Sequence, residues 1–148
     1  MLTERENLTK TEARQLNPVA LAFLGDTVYS LYVRERLATS GCGKVSQLQK
    51  VAAQVVSAKG QSAFLDKLIP LFTEEEAEIF RRGKNAKKGT KSKSASALEY
   101  NRSTGFEAVL GYLYLIGETT RIKELLSVSD EESFALQEEK TPFKPGRF

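Results

Sequence analysis

Two carboxylates stand out for the company they keep. Asp26 is the only charged residue between Pro18 and Val33, and Glu107 the only one between Ser103 and Gly117. An ionised carboxylate set among apolar residues costs many kcal/mol, so each must be paired, protonated, exposed or holding a cation. If the segments carrying them are helices packed side by side, both groups can grip one divalent cation, whose charge offsets the desolvation. The competing reading makes Asp26 a helix cap and pairs Glu107 with a surface arginine. Two absences narrow the chemistry further. The chain has no histidine, which excludes Ser-His-Asp and Cys-His mechanisms and a histidine-bound zinc. It also has no glycine-rich phosphate loop. Catalysis must then rest on carboxylates, lysines, tyrosines, hydroxyls or a metal, and oxygen ligands suit a hard cation such as Mg²⁺.

Positive charge is concentrated. Between Ile79 and Leu98 lie Arg81, Arg82, Lys84, Lys87, Lys88, Lys91 and Lys93 with no acid, although the whole chain nets only +3. A basic stretch on an otherwise acidic body is the footprint of a polyanion binder. The Gly, Ser and Lys content of "RRGKNAKKGTKSKSASA" also fits a mobile, solubilising loop.

Helix signals dominate the elements that must position these groups. Asn17 and Pro18 supply a cap and a first helical residue, Leu21, Leu24, Val28 and Leu31 follow helical spacing, and Ser40-Gly41 supplies a stop. "TVYSLYV" has strand propensity taken alone, but length and spacing favour a helix over about 18–39. A second helix starts at Ser46 with Leu48, Val51, Ala52 and Val55 on one face. It continues through Phe64, Leu65 and Leu68 unless Lys59-Gly60 breaks it. Thr73 with Glu76, and Ser96 with Glu99, are capping boxes opening two more helices. Phe106, Val109, Leu110, Leu113 and Tyr114 give the second of these an apolar face. "TTRIKELLSV" reads as a short helix and residues 130–139 as another. The fold class expected is all-α.

At 148 residues the chain fits one domain that buries roughly two-thirds of its unfolded surface. The division expected is an N-terminal extension (1–13), a main domain (14–139) with a basic loop at about 82–97, and a flexible tail (140–148). No apolar run approaches the ~20 residues that span a bilayer, and the N-terminus is too acidic for a signal peptide. The single Cys42 excludes an internal disulfide and fits a reducing compartment. A cytoplasmic location without membrane attachment is expected.

"FLGDTVY" resembles the "EFLGDAVL" signature of ribonuclease III endonuclease domains, and "FEAVLGYLYL" resembles their second motif, D-x-x-E-A-hydrophobic-x-Gly. More narrowly, the chain is similar to the Mini-III ribonucleases, the short bacterial branch without a double-stranded-RNA-binding domain. The likeness spans roughly residues 14–127 and takes in "QLNPVALAFLGD", "VSAKGQ", "FTEEE" and "RGKNAK". It implies a helical homodimer that hydrolyses double-stranded RNA with Mg²⁺, the usual substrate being the 23S ribosomal RNA precursor. A ribosomal protein that presents the RNA is a further expected partner. Asp26 falls on the signature aspartate and Glu107 on the second-motif glutamate, both metal ligands in the larger family. Arg82, Lys84, Asn85, Lys87 and Lys88 become the expected RNA contacts. Phe23, with Leu24 and Tyr29, becomes the expected dimer interface, Phe23 filling a pocket on the partner.

The departures are informative. Full-length ribonuclease III carries an acid four residues before the signature aspartate, where this chain has Ala22. It carries an aspartate three residues before the second-motif glutamate, where this chain has Thr104. Mini-III enzymes are similar in lacking both. The alternative is a non-catalytic RNA-binding or ribosome-assembly protein that keeps the fold, against which the retention of Asp26 and Glu107 argues.

Overall fold

The computed structural model describes residues 1–41, 43–88 and 96–140, with the backbone alone from 130 onward. Cys42, Lys91, Lys93 and the tail from 141 lie outside the described residues. Seven α-helices and no strand occur among the described residues: α1 Lys10–Arg14, α2 Pro18–Ala38, α3 Val45–Val56, α4 Ala58–Leu68, α5 Glu74–Asn85, α6 Ala97–Leu115 and α7 Thr119–Lys140. None of them is long and apolar enough to cross a membrane.

The caps set the helix limits. Asn17 accepts from Val19 N–H with Pro18 at the first helical position. Thr73 with Glu76 and Ser96 with Glu99 both close reciprocal capping boxes. A third box, Thr9 with Glu12, opens α1, a Thr-x-x-Glu signal as plain as the other two. Residues 1–13, expected as an extension, lie against α6: Leu8 N–H donates to the Leu115 carbonyl at 2.8 Å, and Ala13 is fully buried. The chain from Thr119 onward forms one helix rather than two. The break between α3 and α4 falls at Ser57, not at Lys59-Gly60, because Ser57 turns extended and its hydroxyl caps Gly60 N–H.

α6 is the central helix, and its pairing with α2 is the most extensive in the fold. The crossing is close because both partners have a glycine there. A Cβ on Gly25 would stand 1.6 Å from the Glu107 carbonyl oxygen, and one on Gly111 would stand 2.0 Å from that of Leu21. Only glycine lets the two backbones meet at this distance. The buried side of α2 is therefore Leu21, Ala22, Gly25, Tyr29, Val33 and Leu37. This corrects the spacing read from sequence: Leu24 and Val28 are half-buried, and Leu31 is 55% exposed.

Tyr29 needs correcting as well. It was expected at a dimer interface, but it is 1% exposed and packs edge-on to Phe64 at 6.1 Å and to Phe106 at 5.8 Å. Phe64 and Phe106 close the triad at 5.4 Å. Tyr29 stands one turn past Gly25, on the side of α2 drawn down to α6, so it points inward. Each edge-on pair adds about 0.5–1.5 kcal/mol beyond burial, and the three rings pin α2, α4 and α6 together. Phe23 lies off this buried side of α2 and is 82% exposed.

Candidate active site

The aromatic triad forms the base of the site. Asp26 precedes Tyr29 by three residues on α2, and Glu107 follows Phe106 directly on α6. The two helices thus present their lone acids from a rigid floor. Val19, Ala22, Phe23 and Asp26 from α2, and Tyr100, Ser103, Thr104 and Glu107 from α6, line one open hollow of about 370 Å³. Each set repeats the spacing i, i+3, i+4, i+7, one face of a helix. Ala58 at the start of α4 and Lys88 just past α5 complete the wall.

The electrostatics follow from this setting. Burial pushes the Glu107 carboxyl up to about 8, a hydrogen bond from Gln61 pulls it down, and the Asp26 charge pushes it up again. Asp26 has one open flank, yet partial burial on the side of the hollow raises its carboxyl above the usual range. Two acids held above their ordinary range across one hollow mark a site short of positive charge. Asp26 is mid-helix and caps nothing, and Glu107 meets an amide rather than an arginine. Both single-residue alternatives therefore fail.

A hard cation fits this donor set. Besides the two carboxylates, the hollow offers the Thr104 hydroxyl, which donates to the Tyr100 carbonyl at 3.0 Å and so keeps lone pairs for a ligand. Ser103 is tied to the same carbonyl at 2.8 Å. Among the described residues no group of three or more His, Cys, Asp or Glu side chains placed to hold a metal occurs. A Mg²⁺ held here would take the rest of its shell from water and phosphate, as that ion commonly does. A larger hollow of about 660 Å³ between α5, α6 and α7 has Glu75, Glu76 and Glu124 of its lining engaged by basic side chains. Arg121 binds Glu76 at 2.8 Å, and Lys10 lies 3.4 Å from Glu75. That hollow is structural.

The basic residues divide. Lys88 lines the carboxylate hollow, its ammonium donating to the Lys84 and Ala86 carbonyls at 3.0 and 2.7 Å, which ends α5. Lys87 and Asn85 are exposed and Lys84 half-buried beside it. Arg82 serves the fold: its guanidinium donates to the Arg14 and Leu16 carbonyls at 2.7 and 3.4 Å, fixing the turn into α2. Sequence reasoning missed Gln61. It is fully buried, and its Nε2 donates to Glu107 Oε1 at 2.9 Å. A signal was present: Gln61 shares a helical face with Phe64, Leu65 and Leu68, where an amide is out of place.

The family described as Ribonuclease III domain matches residues 19–118, the span that holds the glycine crossing and both acids. Mini-ribonuclease 3 of Brevibacillus brevis is 43% identical over 135 residues, 91% of this chain and 97% of that protein. Mini-ribonuclease 3 of Symbiobacterium thermophilum is 46% identical over 114 residues, 77% of this chain and 88% of that protein. A crystal structure of a Fusobacterium nucleatum protein superposes with a TM-score of 0.71 at 33% identity, covering 78% of this chain and 92% of that one. The chain belongs to the Mini-ribonuclease 3 family and is an endoribonuclease, a hydrolase acting on RNA.

Proposed function

We propose that the protein is a Mg²⁺-dependent endonuclease of double-stranded RNA that works as a homodimer and matures the 23S ribosomal RNA precursor. The observation that carries this reading is the placement of Asp26 and Glu107 on one hollow, where burial raises both carboxyls and the Asp26 charge raises Glu107 further, a setting that favours a bound cation.

Asp26 and Glu107 would hold the ion, with the Thr104 hydroxyl an uncharged oxygen on the same hollow. What a bound divalent cation supplies there is an activated water near neutral pH and relief of the charge that builds on the phosphate. The chain's own part is to aim Glu107 and favour its ionised form, through the donated amide of Gln61, against the burial that raises its carboxyl. Lys88 on the wall of the hollow, with Lys84 and Lys87 near it in the chain, would supply positive charge toward backbone phosphates. Recognition through phosphates suits a duplex, which proteins read by shape and 2′-hydroxyls more than by sequence. Phe23 supports the dimer: an 82% exposed phenylalanine in the middle of a helix is an unpaired apolar knob, and it lines the same hollow as Asp26. A ribosomal protein that presents the precursor fits this scheme, since base reading by the enzyme is slight.

The test is cleavage of a perfect RNA duplex with Mg²⁺, with EDTA, and by Asp26→Asn. The variant amide is nearly isosteric, so fold and duplex binding should persist while cleavage is lost. Turnover above a tenth of wild type, a gap of only ~1.4 kcal/mol, would show that Asp26 is not an essential ligand.

A further inference from the structure

We propose that Gln61 is a positioning residue for Glu107, and that the break between α3 and α4 is the device that aims it. The inference rests on the reading of Asp26 and Glu107 as ligands of a divalent cation and adds a residue outside that pair.

Gln61 is an amide in an apolar place. It is 0% exposed, on the face of α4 that also buries Phe64, Leu65 and Leu68. Burying an amide is costly unless its polar atoms are paired. Both hydrogens of Nε2 are used, one on the Val56 carbonyl at 3.0 Å and one on Glu107 Oε1 at 2.9 Å. Oε1 has no hydrogen-bond partner. A side chain kept for packing would be better served by Leu or Met, which leave no oxygen stranded. The amide is retained for what Nε2 does.

The Val56 carbonyl decides which way the amide faces. A carbonyl only accepts, so it holds Nε2, and not Oε1, toward α6. That carbonyl is free because Val56 is the last residue of α3 and its orphan acceptor has no partner within the helix. The chain is turned there by Ser57, extended at φ −62° and ψ 157°, whose hydroxyl donates to the Gln54 carbonyl at 2.7 Å and accepts from Gly60 N–H at 3.0 Å. α4 can start this close to α3 because residue 60 has no side chain: a Cβ there would stand 2.2 Å from the Gln54 carbonyl oxygen. One turn beyond Gln61, Phe64 locks into the aromatic triad. The amide is thus held from both ends, and the stretch "VSAKGQ" gains a physical account. Val56 provides the acceptor, Ser57 the cap, Ala58 a wall of the hollow, Gly60 the close approach and Gln61 the donor.

A carboxylate's terminal torsion is broad, so without this donor the Glu107 oxygens lose their fixed direction. Mg²⁺ demands near-ideal octahedral geometry, and removing a group that orients a ligand typically weakens metal affinity or activity ~10–100-fold. Gln61→Met keeps the volume and deletes the donor. We expect the Mg²⁺ concentration for half-maximal duplex cleavage to rise by that ~10–100-fold factor, with activity largely recovered at high Mg²⁺. Duplex affinity without divalent metal should be unchanged. A second readout needs no RNA: the Mn²⁺ concentration giving half of the metal-induced rise in Tm should increase in parallel. Leu65→Ala, a cavity in the same helix face, controls for loosening. Its Tm should fall while both metal dependences stay at wild type. If Gln61→Met fails to fold, Gln61→Asn, too short to bridge both acceptors, is read in the same two assays with the same expectation. Metal dependences within about twofold of wild type, with only Tm lowered, would make Gln61 merely structural and overturn the proposal. Absence of duplex cleavage by the wild type would instead sink the proposed substrate, while the Mn²⁺ comparison still decides the role of Gln61.

Discussion

Replacing Gly25 with alanine tests the crossing on which the site depends. On helix propensity alone the change is favourable by about 1 kcal/mol. Sterically it is not. The new Cβ would stand 1.6 Å from the Glu107 oxygen, 2.6 Å from its carbonyl carbon and 2.8 Å from Gly111 N. All three are backbone atoms, so no side chain can rotate aside, and one helix must retreat by about 1.4 Å to reach the 3.0 Å that real Cβ atoms keep. Overpacking of this kind costs about 1–3 kcal/mol, and a backbone-on-backbone clash belongs at or above the upper end. The steric term wins, leaving a net loss of about 2 kcal/mol or more, which at roughly 2–4 °C per kcal/mol lowers Tm by about 5 °C or more. Asp26 is the next residue, so the retreat also parts it from Glu107, and misplacement by about 1 Å costs on the order of 10²-fold in rate. Thermal unfolding with single-turnover cleavage of duplex RNA reads both effects. Gly43→Ala is the control, since nothing lies within 4 Å of a Cβ there. A Gly25→Ala protein with Tm within about 1 °C of wild type and near-normal cleavage would refute the close crossing.

Three more outcomes are expected. Burial, with the Asp26 charge adding and Gln61 opposing, lifts Glu107 to about 8 from 4.5, so between those values the folded state keeps a proton that the unfolded chain has released. Wild-type stability should therefore fall as pH rises from 4.5 to about 8 and level off above; Tm profiles of Glu107→Gln, or of wild type in saturating Mg²⁺, should be flatter. Phe23 is 82% exposed, so Phe23→Ala should leave Tm of the protomer nearly unchanged while sedimentation shows loss of the dimer; a wild-type monomer at micromolar concentration would contradict the interface. Converting Lys84, Lys87 and Lys88 to glutamine should weaken binding of all duplex sequences alike and flatten its salt dependence by roughly one unit of slope for each phosphate no longer neutralised, whereas an unchanged slope would reduce these lysines to solubilising groups.

The local order of the chain is written in the chain itself. Asn17-Pro18, Thr73 with Glu76 and Ser96 with Glu99 start helices where they stand because a cap bonds only to backbone within a turn of itself. The anomaly of Asp26 and Glu107 was equally legible, since the cost of a lone acid among apolar neighbours needs no coordinates to state. Orientation was not legible. α2 is apolar on nearly every side, so Leu21, Leu24, Val28 and Leu31 made as good a stripe as the one the fold buries, and Tyr29 passed for a surface residue. Only the packed structure decides between the stripes, because the deciding interaction is backbone on backbone: Gly25 and Gly111 let α2 and α6 meet, and that approach turns Tyr29 inward and Phe23 out. The partnership of Gln61 with Glu107 joins residues 46 positions apart, from α4 to α6. Such a bond exists only once the intervening chain has folded.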